Sequence, residues 1–438
     1  MFDLETPALI LKFGRFPLHH GTLGIIRSLG SVGIPVYAAL EDLWVPAGWS
    51  RYLAGKFVWN PDENADPELL AGLTEIGERI GRPAVIIPTS DHAAIFINEY
   101  ASALAKWFLF PAQQPGLTRA LADKRELQRI CQRTGVAQPI TFFPTSADEA
   151  RRLAGELGFP IMVKITEPWR RPRPPGLAGT SIVRNSEELT ALFRVAEAAP
   201  ELQLMIQEHI PSSDVMLAGY CDQHSRCLVA VTGEKLRSYP AGAGMTSTSR
   251  ATDNREIRCL LEDFLSQLGF RGIFDLELRL DCRDGRYKLL DFNPRTGADF
   301  RLYENAAGID VVRAMHLDLT ARTVPQTAEF RPRSFIVENH ELLLMLKRQV
   351  KRPTFREWLR SFRGEREFAW FSRRDAIPFI MMWLRLAYAI FRARLWPAGS
   401  HSHTAEPEYR AGRGSVPAHL GLRRSRRAND RRMWSRSR

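Results

Sequence analysis

The segment 274–297, FDLELRLDCRDGRYKLLDFNPRTG, holds the residue types and spacing best suited to chemistry. Two apolar-rich runs flank Asp284-Gly285, a pair that favours a tight hairpin turn. Glu277 falls on the first run. Asp291 and Asn293 fall on the second, two residues apart, so both side chains leave the same face of a strand. Pairing of the runs can bring Glu277 to that face. Two carboxylates and an amide oxygen then converge on one point. Such hard oxygens suit Mg2+ or Mn2+, and Mg2+ keeps waters and takes further oxygens from substrate phosphates. Arg295 follows on the same side, where a guanidinium can hold a γ-phosphate or a developing acyl phosphate through paired hydrogen bonds. The plainer alternative is an exposed polar hairpin edge. A Glu, a gap of fourteen and then Asp-x-Asn-Pro-Arg after Leu289-Leu290 favour the metal reading.

Other elements must hold this hairpin in place. Residues 7–13 and 34–40 read as buried strands around a short helix over 21–30. A helix over 67–80, a strand over 84–87 and a helix over 91–104 continue a strand–helix–strand order, which implies a parallel α/β unit. Pro111, Pro115 and Gly116 break that pattern and place a domain boundary near 117. Beyond it, 123–134 is an amphipathic helix closed by Gly135, and Ser146 with Glu149 forms a capping box. Strands over 161–165 and 204–208 flank a helix over 187–199, and 215–220 and 228–232 read as antiparallel strands. A helix over 255–268 leads into the hairpin. After Pro325 the composition shifts to helical stretches over 342–350, 355–362 and 377–394, and an Arg-, Ser- and Gly-rich tail over 397–438 reads as disordered.

The run LLDFNPRTG resembles the metal-binding strand of ATP-grasp enzymes such as biotin carboxylase and carbamoyl-phosphate synthase, where Glu usually stands in place of Asp291. The resemblance implies an α/β protein. A parallel pre-ATP-grasp domain over 1–117 precedes a two-lobe ATP-grasp fold of α+β character over 118–325, with lobes over about 118–205 and 206–325. A helical extension over 326–396 and the tail complete the chain. The resemblance further implies that Lys164, in Pro-Ile-Met-Val-Lys, reaches the ATP phosphates. It implies that Glu208, His209 and Ile210 form the adenine hinge, His209 packing away from the base, and that Asp214 holds the ribose hydroxyls. Lys124 would open the ATP-grasp helix. The alternatives are a solvated strand-end lysine for Lys164, a solvated helix face for Lys124 and a loop cap for Asp214. Where relatives carry a glycine-rich flap, this chain has an Arg- and Pro-rich loop whose Arg170, Arg171 and Arg173 could supply phosphate charge. Within the superfamily the sequence is most similar to the carboxylate–amine ligases that include D-aspartate ligase. That similarity rests on Arg27-Ser28-Leu29-Gly30, Gly33-Ile34-Pro35-Val36, Pro88-Thr89-Ser90-Asp91 and the run from Glu234 to Pro240. Arg374-Asp375-Ala376-Ile377-Pro378 extends it weakly.

The implied reaction needs ATP and Mg2+ (or Mn2+), with two ions expected. A carboxylate attacks the γ-phosphate, and an amine (or a thiol) then attacks the acyl phosphate. Lys235 and Arg237 join Arg295 as candidates for holding the acid or the leaving phosphate, with Arg250 and Arg301 left open. Gly21 and Gly24 lack a dinucleotide pattern; they either border a second-substrate cleft or pack a helix start. The second reading is an ATP-binding scaffold without catalysis.

Of the formal net charge of +12, ten Arg against Glu406, Glu408 and Asp430 place +7 in residues 400–438. That localisation argues against a basic nucleic-acid-binding face. Five cysteines without CxxC spacing read as reduced thiols. The first residues show neither a basic nor an apolar leader region. The expected location is therefore cytoplasmic, with peripheral contact at the inner membrane face through an amphipathic helix over 377–394 and the tail, against the alternative of a helix packed on the catalytic body. Oligomer formation is left open.

Overall fold

The computed structural model describes residues 1–170, 174–197, 199–240, 242, 244–327, 329–346, 356, 358 and 364–395. Arg171, Arg173, the tail over 397–438 and most of the helix expected over 355–362 lie outside the described residues.

The first unit is built on β1 (Ala8–Leu11), α1 (His20–Gly30), β2 (Val36–Leu40), β3 (Gly55–Val58), α2 (Asp66–Ile80), β4 (Ala84–Pro88), α3 (Asp91–Glu99), α4 (Ala101–Leu104) and β5 (Phe108–Leu109). Its five strands are parallel in the order β3-β2-β1-β4-β5. All four β1 residues are buried, because helices cover both faces of a parallel sheet.

The second unit has two lobes. The smaller holds α5 (Leu117–Ala122), α6 (Lys124–Thr134), β6 (Thr141–Phe142), α7 (Ala147–Leu157), β7 (Ile161–Ile165), β8 (Thr180–Val183), α8 (Ser186–Ala196) and β9 (Leu204–Glu208). Four antiparallel strands run in the order β6-β9-β7-β8. Ile161, Val163 and Ile165 pack with residues of α7 and α8. Strand alternation therefore sends Met162 and Lys164 to the opposite face, toward the other lobe. Ser146 caps α7 as expected, accepting from the Glu149 amide at 3.2 Å, but the returning Glu149 carboxylate takes the amide of Thr145 at 2.7 Å.

The larger lobe holds β10 (Asp214–Cys221), β11 (Cys227–Tyr239), β12 (Met245–Thr252), α9 (Arg255–Leu268), β13 (Gly272–Asp281), β14 (Arg286–Asn293) and α10 (Val311–Leu319). The chain ends with β15 (Ser334–Ile336), α11 (Glu338–Leu346), β16 (Arg366–Phe368) and α12 (Ile377–Leu395). Seven strands run β14-β13-β10-β11-β12-β15-β16. The segment 326–396, read from sequence as a helical extension, thus donates two strands to this sheet and is integral to the lobe. Its first helix begins at Glu338, ahead of the expected 342. Leu217, Phe274, Leu276, Leu278 and Leu289 pack against α6 and α9, whereas Met216, Ala218 and Tyr220 join the core shared with α1 and α10. Cys221 and Cys227, expected as separate thiols, lie opposite each other across β10 and β11 with sulfurs 2.9 Å apart, and both are free thiols.

Helix α12 packs on the first unit. Met382 and Leu386 are buried, and Arg385 makes a two-pronged ion pair with Asp42 at 2.8 and 2.9 Å. Arg385 therefore belongs to the face turned to the body. The outward face is apolar, with Ile377, Ile380, Leu384, Tyr388 and Phe391 all exposed. No helix among the described residues is long and apolar enough to cross a membrane.

Two sequence motifs that resemble the ligase family meet at a buried clamp. Arg27 of α1 donates from Nε to Asp375 at 2.9 Å and from Nη2 to the carbonyls of Trp370 and Asp375 at 2.7 and 2.8 Å. Ser50 and the Arg51 amide complete the Asp375 carboxylate at 2.8 and 3.0 Å. Removing one partner of such a pair strands a buried charge. Arg27→Met is expected to cost about 3–5 kcal/mol in chemical unfolding, and Arg27→Met combined with Asp375→Leu to recover most of that loss. Equal destabilisation in the single and double variants would show that the charge pairing is not what holds the clamp.

Candidate active site

The β13–β14 hairpin has the register that the spacing implied. Glu277 stands directly opposite Asp291, and Asp275 opposite Asn293. A bulge follows: Leu278 pairs with Leu289, which leaves Leu290 as the extra residue. Because of that shift Leu289 points into the core while Asp291 faces the cleft. The same alternation places Asp275, two residues before Glu277, on the site face. Sequence reasoning did not single it out, although the period of two was sufficient to find it.

Two lysines arrive from the smaller lobe. Asp123 caps α6 by accepting from the amides of Arg125 and Glu126 at 2.8 and 2.9 Å. The Lys124 amide donates to the Thr166 carbonyl at 3.0 Å, tying the start of α6 to the end of β7. Lys124 is only 7% exposed and its ammonium contacts Asp291. Lys164 is 8% exposed and reaches the Leu290 carbonyl at 3.5 Å. Neither lysine has the solvated surface position that was its alternative. Burial lowers the Lys164 pKa despite Asp291, and Lys124 beside it pushes the same way. Burial alone would raise the Asp291 carboxyl, but Lys124 and Lys164 outweigh it and hold it below the usual carboxylate range.

A second charge group lies beside the first. Lys235 on β11 contacts Glu277 and lies 3.2 Å from Asp214, which also pairs with Arg279. Burial would lower Lys235, but Glu277 and Asp214 raise it above its ordinary value, so the ammonium stays charged. Arg279 also donates to the Ile210 carbonyl at 2.9 Å, so it braces the segment expected as the hinge. The Glu208 side chain is engaged by protein groups: it accepts from the Ile140 amide at 2.8 Å and pairs with Arg283 and Lys288. His209 is half-buried and Ile210 buried.

Arg295 closes the site from the side of the first unit. It donates to Asn293 Oδ1 at 3.0 Å and to Asp275 at 3.4 Å, and lies 3.2 Å from Asp91 at the start of α3. Arg237 is drawn elsewhere, to Glu341 of α11 at 3.0 and 3.1 Å and to Thr248 at 3.0 Å. Arg250 pairs with Glu234, and Arg301 with Glu367. These three are therefore not grouped with Lys235 and Arg295. Trp169 of the Arg/Pro-rich loop packs against Ile95 and Ala122, and Arg170 pairs with Glu167.

Among the described residues no three His, Cys, Asp or Glu side chains form a metal cage. Glu277, Asp291 and the Asn293 amide oxygen fit an ion that takes its remaining oxygens from water and substrate, as Mg2+ does.

Parallel first unit, two lobes and cleft lysines together make an ATP-grasp fold. Residues 123–320 match the family model described as Carbamoyl-phosphate synthase L chain, ATP binding domain. Among solved structures, the biotin carboxylase domain of Hydrogenobacter thermophilus 2-oxoglutarate carboxylase, in complex with MgADP, ADP and bicarbonate, aligns with TM-score 0.56 at 16% identity, covering 75% of this chain and 73% of that one. An L-amino acid ligase from Bacillus licheniformis aligns with TM-score 0.54 at 16% identity, covering 75% and 78%. At such identity the likeness shows the fold. By sequence, the chain is similar to D-aspartate ligase from Enterococcus faecium, with 23% identity over 293 residues, or 63% of this chain and 68% of that protein. The carbamoyl phosphate synthase large chain of Deinococcus deserti is 26% identical over 185 residues, only 17% of its own length.

Lys164→Ala is expected to weaken ATP binding about tenfold, equivalent to about 1.4 kcal/mol. Unchanged affinity in calorimetry would remove Lys164 from the nucleotide site.

Proposed function

We propose that the protein is an ATP-dependent ligase that joins a carboxylate to an amine through an acyl phosphate. The supporting observation is the convergence of Lys124, Lys164, Asp291, Glu277, Asn293 and Arg295 from both lobes on one cleft. Lys124 and Lys164 bind the phosphates: each is buried, cationic and satisfied by acceptors that phosphate oxygens can replace. The main chain over Glu208–Ile210 would border the base, and Asp214, now paired with Lys235 and Arg279, would hold the ribose hydroxyls. Glu277, Asp291 and Asn293 would hold Mg2+, which neutralises phosphate charge when bound. Arg295, fixed by Asp91 and Asp275, is positioned to orient the transferring group, and Lys235 the acid. No protein nucleophile is required, since positioning and fixed charge are what in-line phosphoryl transfer needs. An ATP-binding scaffold would not need metal-type carboxylates facing two buried lysines.

D-aspartate, from the similarity to D-aspartate ligase, is the first acid to test, against a panel of amines. Asp291→Asn and Asn293→Ala are each expected to lower carboxylate-dependent ADP formation by about a hundredfold or more with little change in thermal unfolding. Chelation of divalent ions should do the same to the wild type. Near-wild-type turnover in either folded variant would overturn the metal assignment. ATP binding without turnover by any pair would favour the scaffold.

The outward face of α12 supports a second, separate reading: that the protein rests on an anionic lipid surface. Ile377, Ile380, Leu384, Tyr388 and Phe391 recur at helical spacing on the solvent side, and the chain beyond carries the ten tail arginines. Full-length protein is expected to sediment with phosphatidylserine-containing vesicles at low salt, and Leu384→Glu with Phe391→Glu to stay in the supernatant. If the wild type also stays in the supernatant, the membrane reading is wrong.

A further inference from the structure

Helix α3 carries three residues on one stripe, and each is held by a different part of the molecule. Asp91, Ile95 and Glu99 stand four residues apart along the helix, so their side chains leave the same face. Asp91 lies 3.2 Å from Arg295, just beyond the β13–β14 hairpin. Ile95 is buried and packs with Trp169 and Ala122. Glu99 takes the Arg119 guanidinium of α5 at 2.6 and 2.9 Å, and that guanidinium stands 5.9 Å from the Trp169 ring centre. Trp169, in the loop after β7, is only 9% exposed.

The seat of Trp169 is separate from the core of its own sheet. Strands β7 and β9 pack with α7 and α8 around Ile161, Val163 and Ile206, a cluster that does not contain Trp169. Helices α5 and α6 instead share a core with the larger lobe, where Leu121, Leu127 and Ile130 join Leu276 and Leu289. The four-stranded sheet is thus a body with its own core, set on a base made of α5, α6 and α3. The chain leaving β7 is joined to that base first by the bond from the Lys124 amide to the Thr166 carbonyl at 3.0 Å. Three residues later it is joined again by Trp169. One hydrogen bond leaves the sheet free to rotate about it, and a second contact removes that rotation. Tryptophan suits such a contact, because it buries a large rigid area with only two side-chain torsions to fix. Lys164, five residues before Trp169, is carried by the end of the strand that the contact fixes.

We propose that Trp169 is a positioning residue for the ATP phosphates. Seated on α3, it holds the end of β7 so that Lys164 stays over the Leu290 carbonyl, while the Asp91 end of the same stripe holds Arg295. The inference rests on the ATP-dependent reading of the cleft. It adds the element that sets the spacing between the phosphate lysine and the guanidinium. Trp169 acts through Lys164 and not by touching the nucleotide.

The test is calorimetry on the full chain with two probes: ATP, and adenosine measured by competition with ATP. Adenosine lacks the phosphates. Trp169→Ala is expected to weaken ATP about tenfold and adenosine less than about twofold, because a displaced Lys164 is felt only by phosphate. Trp169→Phe keeps an aromatic ring in the seat and should recover most of the ATP affinity. Arg119→Ala leaves the buried residues in place and should weaken ATP about threefold with adenosine unchanged. Thermal unfolding checks that each variant folds, and if Trp169→Ala does not, Arg119→Ala decides. Unchanged ATP affinity, or an equal loss for ATP and adenosine, overturns the positioning role while leaving the nucleotide site in place. If the wild type binds no ATP, the ATP-dependent reading fails, and this inference with it.

Discussion

The cleft depends on the burial of two ammonium groups from the smaller lobe against a carboxylate of the larger. Lys124 and Lys164 repel each other, and removal from water penalises both. Asp291 offsets these costs and is itself held ionised by them. The arrangement works only if β7, the start of α6 and β14 are brought to the same point, and each has its own fixing device. The Asp123 cap and the Lys124–Thr166 backbone bond hold α6. The two-faced packing of β7 aims Lys164, and the bulge at Leu290 turns Asp291 outward.

A site made this way is suited to an anionic ligand. Its cations are nearly shut off from water, so they interact with a ligand more strongly than exposed lysines would. Their present partners are side-chain and backbone oxygens of the kind that phosphate oxygens can replace. The neighbouring set of Lys235, Glu277, Asp214 and Arg279 repeats the pattern of cations and carboxylates in mutual contact.

The first unit and the C-terminal segment are structural parts of the same body as the cleft. Asp91 at the start of α3 reaches Arg295, α1 covers the loop that carries Asp299, and Glu341 holds Arg237. The Arg27–Asp375 clamp then ties α1 to the end of the chain.

Much of the hairpin was legible from the sequence because strand side chains alternate with a period of two. That local rule assigns Glu277, Asp291 and Asn293 to one face without knowledge of the rest, and the family resemblance added Lys124 and Lys164. Asp275 obeyed the same rule and could have been read. The burial of Asp299 and Tyr303 could not, since nothing local distinguishes a buried carboxylate in a loop from a solvated one. The charged side chains of Arg237 and Arg385 were equally ambiguous, because their partners Glu341 and Asp42 lie far away in the chain. Residues 326–396 read as helix because strands of three residues, such as β15 and β16, carry too little periodicity to detect. The sequence by itself determined what local periodicity, capping and turn chemistry encode: the elements, the hairpin and the face that Glu277, Asp291 and Asn293 share. Only the tertiary structure decided which charges lost their water and which partners they met, because burial and long-range pairing depend on elements hundreds of residues apart.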